Sequence, residues 1–180
     1  MQIQTIFRAN YEMEDPDELP SSGEGVIYFP PLQANVGHIY AKRLKFIDVA
    51  QNAWYGVFAS EMDGLSLAST MPNPDWCFVS AAGTGYSLNV QRPEQWHLVP
   101  VVPVLGARVE AERKCVLLND FTRIVGYGEK GEMWRSDALC SDELRIDRVG
   151  LDSIWCTGWD APSGERISFQ VDLETGKRKA

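Results

Sequence analysis

Carboxylates and aromatic rings are the groups in this chain whose types and spacing suggest chemistry. Residues 11–25 carry Glu12, Glu14, Asp15, Asp17, Glu18 and Glu24 with no basic residue, and clustered carboxylates suit a hard cation or the docking of a basic partner. The stretch lacks the glycine and terminal glutamate at the spacing of a calcium loop. Its Pro16, Pro20, Ser21, Ser22, Gly23 and Gly25 read as a solvated loop. Carboxylate pairs such as Asp120 with Glu129, or Asp147 with Asp152, suit glycoside hydrolysis if one pair lies roughly 5 to 10 Å apart across a cleft. Trp54, Tyr55, Trp76, Trp96, Trp134, Trp155 and Trp159 offer large amphipathic rings of the kind that stack on carbohydrate or anchor a protein partner.

Other chemistries are sparsely supplied. His38 and His97 are the two histidines, too few for a His-rich metal site or for paired-histidine acid–base catalysis; His97, beside Trp96 at a strand start, reads as a surface or interstrand residue. No Gly-x-Ser-x-Gly elbow, phosphate loop or dinucleotide fingerprint occurs. Gly83, Thr84 and Gly85 make a Gly-rich turn that runs into a strand-like segment, as in a hairpin. Cys77, Cys115, Cys140 and Cys156 are 38, 25 and 16 residues apart, without the short paired spacing of a zinc site. Each adjoins an apolar run, so buried reduced thiols are expected. These patterns imply no cofactor and no metal.

The elements that must position such groups are strands. Short apolar or alternating runs at 2–8, 25–29, 38–49, 55–60, 76–81, 86–90, 98–105, 114–118, 123–127, 144–149, 153–158 and 166–172 are separated by turn signals at intervals typical of an all-β domain. No amphipathic helix of ten residues stands out. Ile167, Phe169 and Val171 alternate with Ser168, Gln170 and Asp172, so the odd positions are expected to face a core. Pro100 and Pro103 remove ladder donors from 98–105 and place that run at an edge or bulge, where a second copy of the chain can add a strand and form a homo-oligomer.

Two nineteen-residue cassettes, Cys77 to Trp96 and Cys115 to Trp134, set a period of 38 residues, and a stretched copy runs from Ile154 to Gly176. Aligned on the turn, Tyr127, Glu129, Gly131 and Trp134 match Asn89, Gln91, Pro93 and Trp96, and then Asp172, Glu174 and Gly176. This resembles the Asp-box hairpin of β-propellers, Ser-x-Asp-x-Gly-x-Thr-Trp, with Glu129, Gly131 and Trp134 at matching positions and Tyr127 in place of Ser. The ending at 171–176 is similar to the strand-to-turn element of quinoprotein-like and WD-repeat-like blades. The resemblance covers 76–176 and implies blade-like antiparallel meanders, in which the turn Gly, carboxylate and Trp are structural and carry no activity. The expected fold class is therefore all-β: an antiparallel meander of blade-like repeats, small or open and propeller-like, with a two-sheet β-sandwich as the alternative.

At 180 residues, 44% apolar and 23% charged, the chain is expected to form a single domain over 1–180. Residues 1–45 would supply N-terminal strands with the acidic loop 11–25, and residues 46–180 the repeat region. A net charge of −8 argues against nucleic acid and against anionic membrane surfaces. Residues 1–10 have no signal-peptide run, and no window approaches the roughly 18 apolar residues of a membrane span; a cytoplasmic location is expected. The leading functional reading is a non-catalytic protein-binding module with a neutral or basic protein partner, one version being an immunity or inhibitor protein that neutralises a basic enzyme. The alternatives are a carbohydrate-binding protein or hydrolase with a carboxylate pair in an aromatic-lined cleft, and a structural, oligomerising subunit. Because Trp96 and Trp134 read as scaffold, the residues expected to meet a partner are Glu14, Asp15, Asp17, Glu18, Trp54 and Trp159.

Overall fold

A computed structural model describes residues 1–31 and 40–179; His38 and the start of the expected strand at 38–49 lie outside the described residues. Sixteen strands and no helix occur among them, and no sheet closes into a barrel. Where the sequence suggests one domain, residue contacts cluster in two compact units, Met1–Val99 and Pro100–Ala180.

The first unit holds two sheets. One runs in the order β1 (Gln2–Gln4), β6 (Leu67–Thr70), β7 (Trp76–Ala81), β8 (Thr84–Asn89), β9 (Trp96–Leu98); the other runs β2 (Tyr11–Glu14), β4 (Tyr40–Asp48), β5 (Ala53–Ser60), β3 (Val26–Phe29). The β1–β6 and β3–β5 pairs are parallel, so the N-terminal strands depart from a pure antiparallel meander. One face of each sheet enters a shared core, with Met13, Phe29, Phe46 and Phe58 from one and Cys77, Val79, Tyr86 and Leu88 from the other. Each large apolar side chain buried there contributes about 1.5 to 3 kcal/mol. Rings pair within it, Phe46 with Trp54 at 4.4 Å and Phe29 with Phe58 at 4.9 Å between centroids.

The solvated loop expected over 11–25 begins later than its composition suggests. Tyr11–Glu14 is a strand because Tyr11 and Met13 point inward while Glu12 and Glu14 stay in solvent. Its acidic outer face disguises a period-two pattern. The strand expected over 98–105 is also corrected: β9 ends at Leu98, and 99–105 forms no strand. Val99, Val101 and Val104 are buried while Val102 and Leu105 are exposed, and Pro100 and Pro103 lack the N–H that a ladder needs. Ladder groups for another chain to extend are thus confined, in this run, to the short β9.

The second unit is antiparallel throughout: β10 (Gly106–Glu110), β11 (Cys115–Asn119), β12 (Ile124–Gly128) and β13 (Gly131–Arg135) form one sheet, and β14 (Asp142–Val149), β15 (Ser153–Asp160) and β16 (Glu165–Asp172) the other. Leu117, Ile124 and Trp134 share a core with Leu144, Ile146, Ile154, Phe169 and Val171. Along β16 the odd positions face inward, as the alternation requires. The 38-residue register survives in one pairing and not in the next. Leu88 stands opposite Trp96 and Gly126 opposite Trp134, but Cys77 faces Leu88 whereas Leu117, forty residues on, faces Gly126. The two-residue shift arises because one hairpin turns through Ala82 and Gly83 and the other through 120–123.

Candidate functional site

Of the six residues expected at a partner surface, five lie in the first unit and Trp159 in the second. Glu14 accepts a hydrogen bond from Lys45 Nζ at 2.8 Å, which holds the Lys45 ammonium above its ordinary pKa. Asp15 pairs with the Met1 amino group. Asp17 and Glu18 are exposed without an ion pair among the described residues. Trp54 is half-buried, stacked on Phe46, and donates its indole N–H to Val90 O at 3.2 Å. The β4–β5 register places Trp54 with Phe46, and Tyr55 with Lys45, so Trp54 and Glu14 lie on opposite faces of their sheet. Trp159, in β15, is 39% exposed.

Of the carboxylates singled out for acid–base work, Asp120 caps a turn, Asp147 Oδ1 accepts from Thr157 Oγ1 at 3.4 Å, and Asp152 accepts from Ser153 and Lys179. Asp120 Oδ1 accepts the N–H groups of Thr122 and Arg123, both at 2.7 Å. Asp172 Oδ1 accepts from Thr175 Oγ1 at 2.8 Å and from the Thr175 and Glu174 N–H groups, and these bonds hold its carboxyl below the usual range. Asp48 is lowered by Asn52, and Asp152 by Lys179 and Ser153. Asn89 does the same structural work without charge, accepting from Gln91 and Arg92. A short oxygen-bearing side chain recurs at these corners because it supplies the acceptor that the bent backbone needs. Among the described residues no group of three His, Cys, Asp or Glu is placed to hold a metal.

Thiol chemistry is suppressed by burial. Desolvation raises Cys115 to about 11 and Cys156 to about 12, and Cys77 further, so none is a thiolate near neutral pH. Cys140, half-buried beside Gly158, is also raised by burial.

Sequence reasoning missed a cleft of about 500 Å³ in the second unit, between the edge strands β10 and β14. Residues 105–108, Asn119 with Phe121, and residues 143–146 line it. Leu105 and Phe121 present apolar surface at 38% and 45% exposure. Arg108 Nη2 donates to Ile146 O at 3.1 Å and Asp147 O at 3.2 Å. Asn119 Nδ2 donates to Leu144 O at 3.2 Å, and Leu144 N–H to Phe121 O at 2.9 Å. Side chains and turn backbone therefore staple the β14 edge, whose ladder is interrupted by two register shifts. A Cβ on Gly106 would lie 2.4 Å from Asn119 Oδ1, so a larger residue here would displace the Asn119 amide.

The electrostatics of the cleft oppose those of the chain. Its one carboxylate, Glu143, stands at φ +54° and is paired with Arg166. Neither Arg108 nor Arg145 has a carboxylate within salt-bridge distance among the described residues. Two uncompensated guanidinium groups thus flank an exposed aromatic ring in a protein of net charge −8. The nearest sequence signal is Phe121, an isolated aromatic in a polar turn; nothing along the chain joins it to Arg108 or Arg145. No protein-family model, curated protein or solved structure matches the chain.

Proposed function

We propose that the protein is a non-catalytic protein-binding module whose contact surface is the cleft between β10 and β14. The observation that carries this reading is the juxtaposition of exposed Leu105 and Phe121 with Arg108 and Arg145. Aromatic and arginine side chains at a concave, partly apolar surface are the usual anchors of protein recognition. Asp120 is occupied in a turn, Asp152 in an ion pair with Lys179, and Cys77, Cys115 and Cys156 in the core. The cleft's single carboxylate, already paired, gives no support to a two-carboxylate hydrolase there. Four separate sheets of three to five strands support a blade-like reading of the scaffold. The net charge favours neutral or basic partners at long range, while the cleft sets a local requirement of opposite sign.

Affinity capture from native lysate with the full chain tests this, comparing wild type with Phe121→Asp and with Trp159→Ala as a control in the same unit. A specific partner that is lost with Phe121→Asp and kept with Trp159→Ala is the expected result. Capture indifferent to Phe121→Asp refutes the assignment of this cleft.

A further inference from the structure

The cleft also prescribes the chemistry of what enters it, and the following rests on the binding-module reading above. We infer that the partner anchors itself through an extended segment in which a carboxylate adjoins a large apolar side chain. The apolar part follows from Leu105 and Phe121, whose exposed surfaces would leave water on contact. The carboxylate follows from donors left over. A guanidinium carries five N–H donors, and Arg108 engages the protein through Nη2 alone, leaving Nε and Nη1 for a ligand. The Arg145 side chain makes no hydrogen bond or ion pair among the described residues and lines the same cleft. Guanidinium groups favour carboxylates because paired N–H donors match the two oxygens.

Two alternatives fit less well. A basic segment would meet two guanidiniums and no available carboxylate, Glu143 being held by Arg166. An added β-strand along β14 would find the carbonyls of Leu144, Ile146 and Asp147 already taken by Asn119 and Arg108. Recognition is therefore through side chains rather than by extending the sheet. A volume of about 500 Å³ accommodates one aromatic or branched side chain together with the carboxylate.

Three blocked peptides differing at one position test this: acetyl-Gly-Phe-Glu-Gly-amide and its Gln and Lys counterparts, titrated into the full chain while backbone amide shifts are followed by NMR. Saturable shifts at Leu105, Phe121 and Arg145 are expected with the Glu peptide, about fivefold weaker binding with Gln, and weaker still with Lys. Arg145→Glu should abolish the preference for Glu over Gln, and Arg145→Lys should retain it; Arg145→Gln, with an unchanged circular dichroism spectrum, guards against a folding artefact. Equal binding of the Glu and Gln peptides, shifts confined to residues outside the cleft, or no saturable shift with any peptide overturns the inference. The binding-module reading is judged separately, by whether Phe121→Asp abolishes capture. A lysate partner lost with Phe121→Asp but kept with Arg145→Glu would retain the module and remove the acidic anchor.

Discussion

Gly164 and Gly176 share a backbone angle and differ in surroundings, which lets one pair of substitutions separate strain from steric clash. Both stand at φ +69°, where an L-residue costs about 1 to 2 kcal/mol. A Cβ on Gly164 meets nothing within 4 Å, whereas on Gly176 it would lie 2.3 Å from Trp134 Cε3 and 2.8 Å from Cδ2. The ring cannot easily retreat. Its indole N–H donates to Leu173 O at 2.8 Å, and its other edge sits against Gly126, where a Cβ would be 2.8 Å away. Overfilling such a site costs about 1 to 3 kcal/mol more. Gly164→Ala should therefore lose about 1 to 2 kcal/mol and Gly176→Ala about 2 to 5 kcal/mol. Both positions belong to the second unit, so the same transition reports both. In urea, with a slope of about 2 kcal/mol/M, the two midpoints should differ by roughly 0.5 to 1.5 M. Equal losses would refute the reasoning, because they would leave only the shared φ and no role for the ring.

Phe46→Ala, which empties a fully buried site and removes the ring stacked on Trp54, should destabilise the first unit by about 3 to 5 kcal/mol, measured by denaturant titration followed on tryptophan fluorescence. Cys140, the half-buried thiol, should be the one that Ellman's reagent titrates in the native chain, with the three buried thiols appearing only after unfolding; Cys140→Ala should leave no reactive native thiol. Asp48, Asp152 and Asp172 have folded carboxyl values below the ordinary range. Their contribution is complete above the unfolded carboxylate pKa, about 4, and is lost as pH falls through the lower folded values. Asp172→Asn should accordingly show a shallower fall in Tm than wild type below about pH 4 in a thermal melt series. Asn119→Ala, which leaves Leu144 O and Asp120 O without their donor, should cost about 1 to 3 kcal/mol by the same denaturant assay.

Strands whose inward and outward residues alternate clearly, such as β16 with Ile167, Phe169 and Val171, were legible from the chain because side-chain direction follows a period of two whatever the neighbours are. The short runs that became β7, β11 and β12 were legible for a different reason, being apolar throughout and bounded by turns. β2 was not, because its outward glutamates outnumber the usual signals and Tyr11 and Met13 are only two inward positions. β6 is short, and one of its two partners, β1, lies more than sixty residues away; β10, Gly106–Glu110, has no apolar run or clean alternation and forms as the hairpin partner of β11. The run at 98–105 misled in the other direction: its valines are buried without a ladder, and composition cannot distinguish burial in coil from burial in a strand. Trp134, expected as scaffold, lies between Gly126 and Gly176; Trp54, expected to meet a partner, is half-buried with its ring stacked on Phe46.

The sequence alone determined an all-β chain, most of its strand positions and the turn at Asp172, Glu174 and Gly176, because these depend on residues close together along the backbone. It also determined the overall negative charge, which is a sum and needs no geometry. Tertiary structure decided that the chain divides into two compact units, that Glu14 and Asp15 are engaged within the chain, and that Arg108, Phe121 and Arg145 share a cleft. That last grouping joins separate segments through the hydrogen bonds that Arg108, Asn119 and Phe121 O make to the backbone of β14. Its positive charge follows from two arginines against one carboxylate, and is increased because Glu143 is held by Arg166 on another strand.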